Sequence, residues 1–212
     1  MHRSTISAIK MNDQSDAQTL TFYDAEAETY AAKARPDDMP ASFHRFAAAL
    51  TSAARVLDLG SGDGHYAAAF EAMGHNVTAM DGSAGLAAIA STRLAKPVRV
   101  ARFDELEDMD AFDGVWAHAS LLHAPLKSLP DLMARIHKSL RLNGIFHASF
   151  KTGQPEGRDK LGRYYNFPTQ MDLQTAMASS GNWSGVTYDT GNGIGYDGKS
   201  TGWIILFARK TA

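Results

Sequence analysis

The sequence predicts an α/β fold in which helices cover a largely parallel sheet. Residues 55–59 form a short apolar run that ends in glycines, which is typical of a buried parallel strand. The alanine-rich segment 65–73 favours a helix, and a second apolar run over 76–80 ends at Asp81. This succession of strand, glycine loop, helix, strand and acid is half of a nucleotide-binding α/β domain.

Composition limits the class of protein. A length of 212 residues suits one domain with a substantial core. The net charge of −2, without a basic block, argues against nucleic acid as a partner. The absence of cysteine excludes disulfides, thiolate nucleophiles and cysteine-based metal sites, and we expect no metal. No apolar run approaches the roughly 20 residues of a membrane span, so we expect no membrane partner and a cytoplasmic location.

The glycine loop at 60–64 indicates the ligand. Its glycines permit a left-handed backbone and close approach by a bound molecule. A dinucleotide-binding loop would have glycine where this chain has His65, and no Gly-Lys-Ser/Thr follows. Asp58 beside the loop suits a cationic amine, and Asp81, about 20 residues on, can accept hydrogen bonds from ribose hydroxyls. S-adenosylmethionine fits these features.

Two motifs carry a family resemblance. Residues 56–64, VLDLGSGDG, and 77–83, VTAMDGS, resemble the first two motifs of the Rossmann-like, class I S-adenosylmethionine-dependent methyltransferases of the small-molecule type. The resemblance implies a three-layer α/β/α sandwich with a seven-stranded, mostly parallel sheet and an antiparallel last strand. By resemblance, the cofactor-binding residues are Tyr30, Arg35, Asp58, Gly60, Ser61, Gly62, Gly64, Asp81, Gly82, Ser83, Phe103, Asp104 and Ala117.

The N-terminal part divides into a leader and a helical opening. Residues 1–18 are polar and aperiodic and are predicted to be a flexible leader before a domain over 19–212; Met11 is an alternative start. Segment 21–33 is predicted to be a helix that Phe22 and Tyr23 dock on the sheet. It resembles a family lid, in which Tyr30 and Arg35 would close on the methionine end of the cofactor. A second helix is predicted over 41–50.

The central part supplies adenine contacts and candidate bases. Ser83 is predicted to cap a helix over 84–94, and 98–102 to form the third strand. The resemblance places Phe103 against adenine and Asp104 near its exocyclic amine, although Asp104 is equally well explained as a solvated acid. His118 ends the predicted fourth strand, 113–118, and His123 follows it, at the edge where such sheets bind ligands. Each is a candidate base, or else a structural histidine.

The C-terminal part contains a long polar loop. An amphipathic helix over 126–142, ended by Asn143 and Gly144, precedes a strand over 145–150. A helix over 170–178 and strands over 186–189 and 203–208 complete the chain. Loops as long as 151–167 are commonly functional in compact domains. Its candidate substrate-binding residues are Arg158, Arg163, Tyr164 and Tyr165.

These features predict methyl transfer to a small-molecule acceptor through an oxygen, nitrogen, sulfur or metalloid nucleophile, by a monomer or homodimer. A hydroxyl acceptor would need a base such as His118 or His123, whereas a thiolate or metalloid oxide would need none. The alternative is a non-catalytic S-adenosylmethionine-binding regulatory or scaffolding module. Nucleic-acid methylation is disfavoured, because residues 117–120 lack the Asn/Asp-Pro-Pro-aromatic motif that holds a flipped base.

Overall fold

The computed structural model describes residues 16–33, 38–194 and 198–212. The strands are β1 Arg55–Leu59, β2 Asn76–Asp81, β3 Arg99–Val100, β4 Phe112–Ala117, β5 Leu140–Thr152, β6 Gly157–Arg158, β7 Tyr164–Tyr165, β8 Trp183–Ile194 and β9 Ser200–Lys210. The helices are α1 Ala17–Ala25, α2 Ala27–Ala31, α3 Ala41–Ala49, α4 His65–Ala72, α5 Ala84–Leu94, α6 Leu129–Ser139 and α7 Gln170–Ser180.

The main sheet has seven strands in the order β3-β2-β1-β4-β5-β9-β8. Strands β1 to β5 pair in parallel, and β9 runs antiparallel between β5 and β8. Because β1 and β4 are neighbours, the chain reverses its direction of winding there, which opens a crevice at the carboxyl ends of the strands. The predicted α/β fold with an antiparallel strand is confirmed.

Alternating side chains of the sheet supply two cores. On one side Leu57, Val115 and Phe146 pack with α6 and α7. On the other side Val56 and Trp116 pack with α3, α4 and α5. Both central strands, β1 and β4, are buried on both faces, which explains why they are near-continuous apolar runs in the sequence.

The N-terminal helical segment differs from the prediction. It starts at Ala17, where the Asp16 side chain accepts a 2.7 Å hydrogen bond from the Thr19 amide as an N-cap, so residues 16–18 belong to the folded part. It also divides at Glu26 into α1 and α2. The predicted helix over 41–50 is present as α3.

The prediction for 126–142 was too long. α6 ends at Ser139, because Leu140 already pairs with Phe112 at the start of β5. Asn143 does take the left-handed conformation, with φ 67°, but inside β5 and not at the end of a helix. The third strand covers only residues 99–100, whereas β8 and β9 extend well beyond the predicted segments.

Candidate functional site

The glycine loop between β1 and α4 presents its backbone to the crevice. Gly60, Gly62 and Gly64 have φ values of 77°, 56° and 79°. The amides of Gly60 and Ser61 donate to the Met80 carbonyl at 2.8 and 3.0 Å, which ties the loop to β2. A Cβ built on Gly60 would lie 2.4 Å from the Ser120 Cβ, so a side chain cannot be added there without displacing the following loop.

Asp81 is fixed at the end of β2. Its Oδ2 accepts from the Gly62 amide at 2.7 Å, and its Oδ1 from the Ser83 amide at 2.8 Å. Burial raises the pKa of this carboxyl to about 6, the two amide hydrogen bonds oppose the rise, and Asp24 adds to it. Each carboxylate oxygen has a further acceptor position, so Asp81 can also receive ribose hydroxyls.

The Asp24 carboxylate of α1 binds the start of α5 and so holds the two helices together. The Ser83 hydroxyl caps α5 by accepting from the Leu86 amide at 3.1 Å and donates to Asp24 Oδ1 at 2.6 Å. The same Asp24 oxygen accepts from the Gly85 amide at 3.0 Å. Leu20 lies over Gly82, where an added Cβ would come within 2.8 Å of the Leu20 Cδ2. Helix α1 therefore covers the Asp81 side of the crevice.

The structure brings six of the predicted cofactor residues to one pocket. The lining contains Tyr30, Gly60, Gly62, Asp81, Gly82 and Phe103. The cavity measures about 80 Å³, well below the 300–1,000 Å³ typical of ligand sites. The cavity is therefore smaller than an intact S-adenosylmethionine, although the Asp81 carboxylate and the glycine-loop backbone line it.

Other predicted cofactor residues lie around this pocket or beneath it. Asp58 and Ala117 are buried at the ends of β1 and β4, and the buried Ser61 hydroxyl has no hydrogen-bond partner among the described residues. A Cβ on Gly64 would lie 3.0 Å from the Ala90 Cβ, so this glycine permits packing of the loop on α5. Arg35 lies outside the described residues.

The Phe103 end of the pocket contains a residue that sequence reasoning missed. Asp104 is buried, and its carboxylate receives the Arg102 guanidinium at 3.0 and 3.2 Å. Arg102 itself lines the pocket beside Phe103. Its position at the end of the predicted third strand, 98–102, was the available signal, but the adjacent acidic run drew attention to Asp104.

The two candidate bases occupy different environments. His123 lines the pocket, with Nδ1 2.6 Å from the Tyr164 carbonyl oxygen and Nε2 3.0 Å from the Tyr23 hydroxyl. Burial, together with the positive charges of Arg163 and Lys151, lowers the pKa of His123 to about 3. His123 is therefore neutral, and both of its nitrogens have partners within the protein.

His118 lies outside the described lining of this pocket, on the side of α4. Its ring is parallel to that of Trp116, with centroids 5.2 Å apart, and contacts Tyr66 edge to face. Its Nδ1 is 3.1 Å from Nε2 of the fully buried His147. The adjacent Ala119 lines the pocket in a left-handed conformation, φ 52°, with its amide bonded to the Ser149 hydroxyl.

The 151–167 loop contains the β6–β7 hairpin, which docks on α1. Arg158 makes a bidentate ion pair with Asp16 at 2.9 and 2.6 Å, and the Tyr164 amide donates to the Thr19 hydroxyl at 2.8 Å. Arg163 is 1% exposed and is held by Asp159. Tyr165 is buried in the core. Of the predicted substrate-binding residues, Arg158, Arg163 and Tyr164 thus form the junction between hairpin and helix.

Within residues 16–33, 38–194 and 198–212, no cluster of three or more histidine, aspartate or glutamate side chains has the arrangement of a metal site. None of the described helices has the length and apolar content needed to cross a bilayer.

Comparison with known proteins agrees with this geometry. Residues 57–148, which run from β1 into β5, match the family model described as a methyltransferase domain. A search of curated proteins gives no significant match.

Solved structures share the fold at low sequence identity. The Burkholderia thailandensis 1,6-didemethyltoxoflavin-N1-methyltransferase, solved with 1,6-didemethyltoxoflavin and S-adenosylhomocysteine, is 24% identical over 92% of this chain and 88% of its own, with a TM-score of 0.67. A Methanosarcina mazei S-adenosylmethionine-dependent methyltransferase is 16% identical over 82% and 99%, with a TM-score of 0.70. The [4+2]-cyclase SpnF is 16% identical over 94% and 97%, with a TM-score of 0.69.

Proposed function

Since the chain belongs to the class I S-adenosylmethionine-dependent methyltransferases, we propose that it transfers the methyl group of this cofactor to a small-molecule acceptor. The observation that carries the proposal is the buried Asp81 carboxylate, held by the amides of Gly62 and Ser83 beside the glycine loop. A carboxylate at this point of an α/β crevice is suited to receive both hydroxyls of a ribose.

Each part of the pocket has a task in binding the cofactor. Asp81 receives the ribose, Phe103 and Arg102 flank the adenine, and the 60–62 backbone with Asp58 receives the aminoacyl group. The bound cofactor supplies an activated sulfonium methyl, so the protein's contribution is orientation and exclusion of water. Helix α1, whose Leu20 covers Gly82, provides that exclusion when it closes.

The enclosure of the pocket favours a small acceptor. Helices α1 and α2 cover it, and Tyr23 and His123 line its wall next to Tyr30. The Burkholderia methyltransferase, whose structure holds a heterocyclic acceptor with the demethylated cofactor, supports this interpretation. The cyclase shows that the fold also serves other reactions. A non-catalytic module is less favoured, because it has no use for the polar groups at this wall.

Calorimetry with S-adenosylhomocysteine, followed by a product screen, tests the proposal. Methyl-labelled S-adenosylmethionine is incubated with wild-type protein and an extract of the source organism, and label is separated into small-molecule and macromolecular fractions. We expect cofactor binding and label in a small molecule. Label mainly in RNA, DNA or protein would overturn the small-molecule acceptor, and tight binding without any labelled product would favour the non-catalytic module.

A further inference from the structure

Three polar side chains from separate segments meet at one wall of the pocket. Tyr23 comes from α1, His123 from the turn after β4, and Arg163 from the β6–β7 hairpin. The Tyr23 hydroxyl lies 3.0 Å from His123 Nε2 and 3.3 Å from Arg163 Nη1. Tyr23 and His123 both line the pocket. The sequence suggested only a docking role for Tyr23.

Geometry fixes the direction of these hydrogen bonds. The Tyr164 carbonyl can only accept, so His123 Nδ1 carries a proton and donates across 2.6 Å. A neutral imidazole then has its lone pair on Nε2, which accepts from the Tyr23 hydroxyl. Burial and the positive charges of Arg163 and Lys151 disfavour the imidazolium, while Asp159 and Asp16 only partly compensate.

Arg163 completes the arrangement from the other side. Its Nε and Nη2 donate to Asp159 Oδ2 at 2.9 and 2.7 Å, which orients Nη1 toward the Tyr23 oxygen. Burial raises the pKa of Tyr23 well above its ordinary value, so the phenol stays protonated. With its proton directed at His123, the hydroxyl has only oxygen lone pairs to offer to another molecule.

We propose that Tyr23 contacts the methyl acceptor directly, with His123 and Arg163 as its positioning residues, and that the acceptor presents an N–H or O–H group to the Tyr23 oxygen. This inference rests on the proposed function and deepens it. It assigns the contact to a residue of α1, so acceptor recognition depends on closure of the same helix that covers the cofactor.

The network also provides a route for the acceptor's proton. The acceptor lone pair forms the bond to the methyl carbon, and the electron pair of the broken carbon–sulfur bond stays on sulfur. The acidified N–H or O–H proton is shared with the Tyr23 oxygen, whose own proton stays directed at neutral His123, and it passes to water when the product leaves. An aliphatic ammonium, with a pKa of about 10, would keep its proton, so hydroxyls and weakly basic heteroaromatic N–H groups are the acceptors that suit this site.

The first test needs no acceptor. Nitrogen-15 NMR of histidine-labelled protein should show His123 as the neutral Nδ1–H tautomer from pH 8 to pH 5. The Tyr23→Phe variant should shift the Nε2 resonance toward that of an unbonded lone pair. An Nε2–H tautomer, protonation near pH 6.5, or an Nε2 resonance indifferent to Tyr23→Phe would overturn the arrangement.

The second test measures methyl transfer from labelled S-adenosylmethionine to 1,6-didemethyltoxoflavin, catechol, benzoate and thiophenol. Tyr23→Phe should lower kcat about 100-fold on an N–H or O–H acceptor, within the range for a lost proton-transfer group, with S-adenosylhomocysteine affinity within about twofold of wild type. Tyr188→Phe, on β8, is the matched control. Unchanged kcat in Tyr23→Phe, or a preference for benzoate or thiophenol, would overturn the proposal.

Two further measurements keep the outcome interpretable. If Tyr23→Phe unfolds, a fluorinated tyrosine at position 23 can replace it, because it preserves the ring and makes the hydroxyl more acidic. The pH profile of kcat should then move to lower pH. An unmoved profile would contradict a role of Tyr23 in the reaction. Failure of the wild type to bind S-adenosylhomocysteine would overturn the proposed function, whereas the NMR result would still decide the Tyr23–His123 arrangement.

Discussion

The floor and the cover of the pocket are built in different ways. The floor, residues 55–83, is held by contacts that are short in sequence: Gly62 to Asp81 spans 19 positions, and Ser83 to Asp81 spans two. The cover, α1 with the β6–β7 hairpin, is joined by pairs 140 to 145 positions apart, such as Arg163 with Tyr23 and Tyr164 with Thr19. The floor is consequently fixed by the packing of β1 and β2, while the cover depends on a few polar contacts that can open.

Among substitutions in the floor, we expect Gly60→Ala to weaken cofactor binding most. A left-handed φ costs alanine about 1–2 kcal/mol, and the added Cβ would meet the Ser120 Cβ at 2.4 Å. We expect S-adenosylhomocysteine affinity to fall about 100-fold, measured by calorimetry. Gly153→Ala is the control, since Gly153 has φ +88° but open space around it. Equal affinities in the two variants would show that close packing at Gly60 is unimportant.

Asp81→Asn should have the next largest effect. Hydrogen bonds to charged groups contribute roughly 1.5–3 kcal/mol each, so we expect cofactor affinity to fall at least about tenfold. Asp113→Asn is the matched control, because Asp113 also accepts a backbone amide, from Arg55, but at the opposite end of the sheet. Calorimetry that finds the same affinity for both variants would remove Asp81 from the ribose site.

Lowering the pH should reproduce part of the loss of cofactor affinity expected for Asp81→Asn. The folded-state pKa of Asp81, about 6, is above the ordinary 3.8, so the apo fold takes up a proton that the unfolded chain lacks between about pH 4 and 6. The Asp81 contribution to the free energy of unfolding therefore increases as pH falls through 6, while cofactor affinity should drop about tenfold by pH 5. Calorimetry across pH 5–8 should show this loss of cofactor affinity toward low pH in the wild type. The same pH dependence in Asp81→Asn would mean that a group other than Asp81 causes it.

Substitutions in the cover should change the rate of cofactor association more than the stability of the fold. The Arg158–Asp16 pair is partly exposed, with 40% of the Arg158 side chain accessible, so Arg158→Ala should change the free energy of unfolding by less than about 1 kcal/mol. We expect S-adenosylhomocysteine to associate about two- to threefold faster in stopped-flow measurements. Arg45→Ala, which removes an exposed pair with Asp189, is the control. Identical association rates in both variants would mean that the hairpin does not restrain α1.

The same contrast explains what the sequence could reveal. Asp81 and Ser83 were identifiable because their partners are neighbours in the chain, and strand and cap patterns place them without knowledge of the rest. The sequence suggested a docking role for Tyr23 and substrate binding for Arg163, and neither pattern indicated that the hairpin returns to α1 and brings the two together. The proximity of His118 and His123 in sequence was misleading, because the turn after β4 directs one toward α4 and the other into the pocket.

Ala119 introduces strain at the pocket wall. Its φ of 52° is unfavourable for a residue with a Cβ, by about 1 kcal/mol or more, and glycine would relieve it. The conformation is maintained by the bond from its amide to the Ser149 hydroxyl. Removing the methyl would widen the pocket beside Ser120 and His123. Ala119→Gly would therefore relieve the backbone strain and enlarge the cavity at the same time. Because only one methyl group is removed, the substitution would extend the range of acceptors that fit by a small step.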